Sequence, residues 1–251
     1  MCLITFAYHA HPTYKFILAA NRDEFYARPT SAAGWWHDHP AVLGGRDLRA
    51  KGTWMGINRN GRFAAVTNFR DIKNIKPDAK TRGDLPTDFL IGDSTPATYA
   101  AKIQAEGDQY NGFNMIVLDE EMAYAGNYSE DSYELGFGIY GLSNALLDTP
   151  WPKVQRAKSK FEQLIQKEFQ LEDLIEMMGD EEKAADDLLP ETGLDYRMEK
   201  ALSSMCIRTP EYGTCCSTAL TIDYDGKVEF FEKTYAVGSR KASFVCFSFE
   251  I

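Results

Sequence analysis

The chain has 251 residues, 44% hydrophobic and 13% aromatic, which is enough apolar material for a sizeable core, and no low-complexity tract or internal repeat interrupts it. Its formal charge of −10 is local: residues 168–191 hold ten acids against the single base Lys183, and the near-neutral remainder lacks the basic footprint of a nucleic-acid or anionic-membrane binder. No stretch has the length and apolarity of an integral membrane segment or a signal peptide, so a cytoplasmic location is the default expectation.

Cys2 to Tyr8 and Lys15 to Ala20 are apolar-rich runs separated by His9-Ala-His-Pro-Thr, and they predict a β-hairpin with an open loop. The polar run Asn21-Arg-Asp-Glu then stands where the second strand is expected to end. Thr53 to Asn58 and Arg62 to Asn68 predict a second hairpin around Asn60-Gly61, a pair that tolerates the positive φ of a tight turn. Four strands in two hairpins are therefore expected to open the chain. Helices follow from Asp84 and over Thr95 to Gln104, where Pro96 suits a first helical turn. Strands are expected at Asn114 to Leu118, Met122 to Gly126 and Gly136 to Tyr140.

A longer helix is predicted from Pro152 to Gln166. An acidic one after Phe169 keeps apolar residues at helical spacing, which makes its acids a solvated face. Asp195 to Ser203 predicts a further helix, and Ser217 to Asp223, Lys227 to Tyr235 and Ala242 to Phe249 close the chain as strands, with Tyr224-Asp-Gly as a hairpin turn. Strands first, helices in the middle and strands last imply an α+β protein with antiparallel sheets covered by helices. No linker divides residues 1–251, which read as a single domain.

The five cysteines, at positions 2, 206, 215, 216 and 246, contain no Cys-x-x-Cys pair and read as free thiols, without a metal site. Cys2 has a special position. Removal of the initiator Met would leave a thiol and a free α-amine on one residue, an activated acyl-transfer nucleophile carrying its own base. Taken alone, Cys2 fits better as a small apolar residue on a buried strand. A hairpin can bring Asp23 near the start of the first strand, where a carboxylate would hold that amine and orient it toward the thiol.

Met1-Cys-Leu-Ile, Asn21-Arg-Asp-Glu-Phe, Gly44-Gly-Arg-Asp-Leu, Gly52-Thr-Trp-Met-Gly-Ile-Asn and Val66-Thr-Asn-Phe-Arg together resemble the NRDE family, that of transport and Golgi organization protein 2. The likeness continues through Tyr110-Asn-Gly-Phe-Asn, Gly141-Leu-Ser-Asn and Tyr212-Gly-Thr, nearly the whole chain. A more distant resemblance is to N-terminal-nucleophile hydrolases of the choloylglycine hydrolase and penicillin V acylase type. That resemblance implies a four-layer αββα sandwich, with Cys2 as nucleophile, Asp23 paired with its amine, and Asn68 and Asn144 forming the oxyanion hole. On this reading Asn21, Arg22, Trp54 and Arg208 contact the substrate, a small amide or acyl compound, and no cofactor is needed. The sequence departs from the hydrolases at Ala20, where they place an arginine before the Asn of their motif, and from many NRDE proteins at Cys215, where they carry arginine after Tyr-Gly-Thr.

The four histidines form two His-x-His pairs, His9/His11 and His37/His39, each followed by proline, and loop positions are expected for them. The alternative function that they leave open is non-catalytic binding or trafficking of haem or another hydrophobic ligand, since NRDE relatives have been linked to haem handling. Trp35, Trp36 and Trp54 fit a substrate pocket or a core and its rim. Neither the substrate nor the oligomeric state is indicated by the sequence.

Overall fold

The computed structural model describes residues 2–238 and 241–251. In chain order its strands are β1 (Cys2–Tyr8), β2 (Tyr14–Phe25), β3 (Thr30–Trp35), β4 (Val42–Asp47), β5 (Met55–Asn58) and β6 (Phe63–Asn68). Two helices follow, α1 (Asp84–Ile91) and α2 (Pro96–Ala105), then β7 (Phe113–Leu118), β8 (Met122–Gly126), β9 (Tyr133–Glu134) and β10 (Gly138–Leu142). The helices α3 (Pro152–Ile165), α4 (Leu171–Met178) and α5 (Tyr196–Ala201) precede β11 (Tyr212–Asp223), β12 (Lys227–Thr234) and β13 (Ser243–Glu250). Antiparallel sheets with helices between the strand groups make this an α+β protein, as the element order implies.

The chain divides into two compact units, Met1–Ala27 with Phe137–Ser143 and Leu147–Phe249, and Arg28–Gly136 with Asn144–Leu146 and Glu250–Ile251. The first unit holds a six-stranded sheet in the order β10-β1-β2-β11-β12-β13. Residue alternation decides which side of this sheet meets helices. Leu3, Ala7, Ile17, Ala19 and Ala219 share an apolar cluster with Val154, Ala157 and Phe161 of α3 and Leu174, Ile175 and Met178 of α4. Cys2, Ile4 and Phe6 alternate with them and point to the opposite face. α3 begins at Pro152, which donates no backbone hydrogen bond and needs none in a first turn. In α4 Glu172, Asp173 and Glu176 are exposed, so the acidic helix has the solvated face expected of it.

The second unit holds a seven-stranded meander, β3 to β9 in sequence order, with α1 and α2 packed on it through Leu85, Phe89, Leu90, Tyr99 and Ile103. Its turn at Asn60-Gly61 has Gly61 at φ 83°, which satisfies the hairpin expectation.

Three strand expectations are corrected by the structure. Six strands, not four, precede the first helix, because Thr30–Trp35 and Val42–Asp47 also pair. Glycines hid β4. Gly44 faces Gly56 across the β4–β5 ladder, and a Cβ on Gly44 would stand 2.7 Å from the Met55 carbonyl oxygen, so a residue poor in strand propensity is required by close approach. β2 does not end at Ala20 but runs through Asn21-Arg-Asp-Glu to Phe25, because β1 and β11 flank it on both sides and buried partners meet its polar groups. β11 likewise starts at Tyr212, five residues before its expected start, with Cys215 as the extra residue of a bulge opposite Arg22 and Asp23.

Candidate active site

Three consecutive residues of β2 separate into two environments. Arg22 stands opposite Cys2 of β1 and opposite Cys216 of β11, and residues directly opposed in antiparallel strands share a face. Cys2, Arg22 and Cys216 thus form one row on the side of the sheet turned away from α3 and α4. Asn21 and Asp23 point to the other side. Asn21 donates both amide hydrogens to main-chain oxygens, those of Met178 and Met205, each at 2.8 Å, and accepts from the Ser217 hydroxyl. Its side chain is consumed in joining β2 to the helical layer and has no hydrogen left for a ligand, which departs from the substrate contact expected of it.

Asp23 is 2% exposed, and its Oδ1 accepts from the Thr214 hydroxyl at 2.7 Å. Burial pushes its carboxyl above the ordinary aspartate value, while the Lys153 charge, the Thr214 hydrogen bond and the Arg22 charge restrain the rise. Lys153, in the first turn of α3, is itself 2% exposed. The Cys2 thiol is also pushed up, first by burial and then by the Asp23 charge; Arg22 and the Asp23 N–H pull it down. Ser143 fixes the Cys2 main chain by donating its hydroxyl to the Cys2 carbonyl at 2.9 Å.

Within the second unit, Asn68 closes β6, and Asn144 donates its side-chain amide to the Asn68 carbonyl at 2.8 Å. The Asn144 carbonyl accepts from the Arg70 N–H at 2.7 Å. The structure therefore brings the two expected oxyanion residues into contact with each other, and gathers Cys2, Arg22 and Asp23 where β1 begins and β2 ends.

Residues 1–237 match the family described as Transport and Golgi organisation 2. The chain belongs to that family. A Transport and Golgi organization protein 2 homolog of Bos taurus is 37% identical over 93% of this chain and 93% of its own, and the Homo sapiens homolog matches at the same identity and the same coverage. Among solved structures, a mutant conjugated bile acid hydrolase from Clostridium perfringens is similar at a TM-score of 0.45 and 12% identity, over 100% of this chain and 97% of that chain.

In this family member each of the other expected contact residues has its own surroundings within its unit. Trp54 is half-buried just before β5, where its carbonyl accepts from the Val66 N–H at 2.8 Å. Arg208 is exposed, with its guanidinium 4.3 Å from the Tyr235 ring centre and 3.3 Å from Glu181. Trp36 belongs to the core, donating to the Gly44 carbonyl at 3.0 Å, and Trp35 is half-buried beneath the Arg59 guanidinium. His9 packs on Tyr8, Phe137 and Tyr224, while His11 accepts the Thr13 and Tyr14 N–H groups at Nδ1. Among the described residues no group of three or more His, Cys, Asp and Glu side chains is placed to hold a metal ion, and no helix is long and apolar enough to cross a membrane. All five cysteines are free thiols.

Thr214, Ser143 and Lys153 were not anticipated. Thr214 carried a signal, since it ends the Tyr212-Gly-Thr motif, and Ser143 lies inside Gly141-Leu-Ser-Asn. Lys153 carried none: a lysine after proline at a helix start reads as a solvated residue.

Proposed function

We propose that this chain is an amidohydrolase or acyltransferase of the N-terminal-nucleophile type, with Cys2 attacking the carbonyl of a small amide or acyl substrate. The observation that carries the reading is the place of Cys2: first residue of β1, opposite Arg22, next to the buried Asp23, and held through its own carbonyl by Ser143. A buried thiol whose proton is held more tightly than usual needs a base. Removal of Met1 supplies one, the α-amine of Cys2 itself. That amine is a main-chain group lying in the plane of the sheet, so Asp23 can meet it from the helical side while the thiol points to the other. Thr214 orients the carboxylate for that task.

The sulfur forms a bond to the substrate carbonyl carbon, and the thiol proton passes through the α-amine to the leaving nitrogen as the C–N bond breaks. Water then cleaves the thioester, returning the thiol and releasing the acid; an amine in place of water gives acyl transfer. Asn68 and Asn144 hold the oxyanion role in this proposal through their match to the motif.

The test begins with intact mass of untagged protein, which is expected to lack Met1. An electrophilic acyl probe is then expected to label the processed protein at Cys2 and to leave the Cys2→Ala variant unlabelled. Retained Met1, or equal labelling of both proteins, overturns the reading.

A further inference from the structure

Arg22 is an unusual buried cation. It is 9% exposed, and a guanidinium presents five N–H donors in a rigid fork. Among the described residues no hydrogen bond is made by that fork, and its ion pair is with Glu24 Oε2 at 3.8 Å, too long for a hydrogen bond. The surrounding acids are engaged elsewhere: Glu24 Oε1 accepts the Phe25 N–H at 2.8 Å, Glu232 accepts from Thr218 at 3.4 Å, and Asp23 faces the opposite side of the sheet on Thr214. The other two members of its row, Cys2 and Cys216, are thiols. A second arginine in the chain shows what a structural guanidinium looks like: Arg62 is 7% exposed and donates to the Phe89 carbonyl at 3.2 Å, to the Ser94 carbonyl at 2.7 Å and to Asp119. Little of the side chain is exposed, yet no Arg22 nitrogen is among the enclosed side-chain atoms left without a partner, so the fork reaches solvent at its tip, where an incoming acceptor can meet it.

We infer that Arg22 receives a carboxylate of the substrate, so that the compound taken by Cys2 is an acyl or amide derivative carrying an acid group close to the reacting carbonyl. This rests on the reading of Cys2 as an accessible nucleophile. A planar carboxylate is the acceptor that matches a guanidinium fork with two parallel hydrogen bonds. Directly opposed residues have Cβ atoms about 5 Å apart, so an anion seated on Arg22 keeps its neighbouring atoms over the Cys2 sulfur. Neutral amides lack the acceptor pair and are the poorer substrates. Arg22 is then a residue that touches substrate and determines specificity, while Asn21 and Asp23, on the other face, do not.

Two alkylating reagents that differ only in the anion test this without requiring turnover. Iodoacetate and iodoacetamide each form a bond from sulfur to a methylene carbon with loss of iodide, and they carry a carboxylate and a neutral amide respectively. The processed full-length protein is treated with each, and alkylation is followed peptide by peptide. Cys246, an exposed thiol, supplies the internal reference. Relative to the ratio at Cys246, Cys2 is expected to favour iodoacetate by about tenfold, the size of one charge-assisted contact. Arg22→Gln should return the ratio to that of Cys246, and Arg22→Lys should keep part of the preference. A ratio, unlike a rate, is insensitive to any change in the fraction of thiolate. A second measurement needs no variant: N-acetylglycine should protect Cys2 from iodoacetamide saturably, and N-acetylglycinamide should not. Equal ratios at Cys2 and Cys246, or an iodoacetate preference that survives Arg22→Gln, overturn the inference and leave the nucleophile standing. A Cys2 that takes neither reagent while Cys246 takes both overturns the nucleophile and the inference together.

Discussion

Arg22 and Arg62 are buried to nearly the same extent, 9% and 7% exposed, and have opposite surroundings. Arg62 lies with its guanidinium 4.1 Å from the Phe89 ring centre, and its nitrogens bind two main-chain carbonyls and Asp119. Those contacts tie the β5–β6 hairpin to the end of α1 and to the segment before α2. Arg22 has one long ion pair and, among the described residues, no hydrogen bond from its fork. Burial alone therefore says little about what a charged residue is for. What separates the two is whether the fold supplies enough acceptors, since a fold that buries a cation for stability must satisfy its donors.

The largest expected effect falls on the saturated residue. Arg62→Met leaves the Phe89 and Ser94 carbonyls short of a donor and Asp119 without its cation, and should cost about 3 to 5 kcal/mol by urea unfolding. A loss below about 1 kcal/mol would break the contrast from the structural side. Thr214→Val comes next. Thr214 is fully buried, donates to Asp23 and accepts from the Ile207 N–H at 2.8 Å, and valine keeps the shape while removing both bonds. The expected cost at neutral pH is about 2 to 3 kcal/mol. It also has a sign in pH. The Thr214 hydrogen bond lowers an Asp23 carboxyl already raised by burial, so the variant raises it further. A carboxyl whose folded value is raised favours the folded state below its unfolded value, and loses that contribution as pH rises through the folded value. The difference between variant and wild type should then shrink on acidification, and a pH-independent difference would remove Asp23 from the explanation.

Much of this site was legible in the sequence and its orientation was not. Cys2 and Asp23 follow from the motif and from the chemistry of an amino-terminal thiol. The run Asn21-Arg-Asp-Glu reads as the end of a strand because four polar residues after an apolar run have no hydrogen-bond partners nearby in sequence. The partners of Asn21 and Asp23 are the accepting carbonyls of Met178 and Met205 and the donating hydroxyls of Thr214 and Ser217, more than 150 positions downstream. Once β2 is continuous through them, alternation assigns Asn21 and Asp23 to the helical side and Arg22 to the thiol side, a division that a list of candidate residues lacks. The glycine-rich strand β4 was missed for a related reason: close backbone approach, not side-chain propensity, places Gly44 in a sheet. The helices, read from apolar spacing and capping residues, needed no distant partner and were correctly placed.

The smallest expected effect is the one that tests the contrast most sharply. A guanidinium held near a single carboxylate at 3.8 Å gains little attraction and has lost most of its hydration, so its removal should release a burial cost about as large as the interaction it gives up. Arg22→Gln, which keeps a polar side chain of shorter reach, should change the unfolding free energy by less than about 1 kcal/mol, in either direction, while abolishing the carboxylate preference at Cys2. Stability and specificity then come apart at one position, as they do when a fold carries a residue at its own expense for the sake of a ligand. If Arg22→Gln is as costly as Arg62→Met, the guanidinium is part of the scaffold, and the row Cys2–Arg22–Cys216 owes its cation to packing and not to substrate.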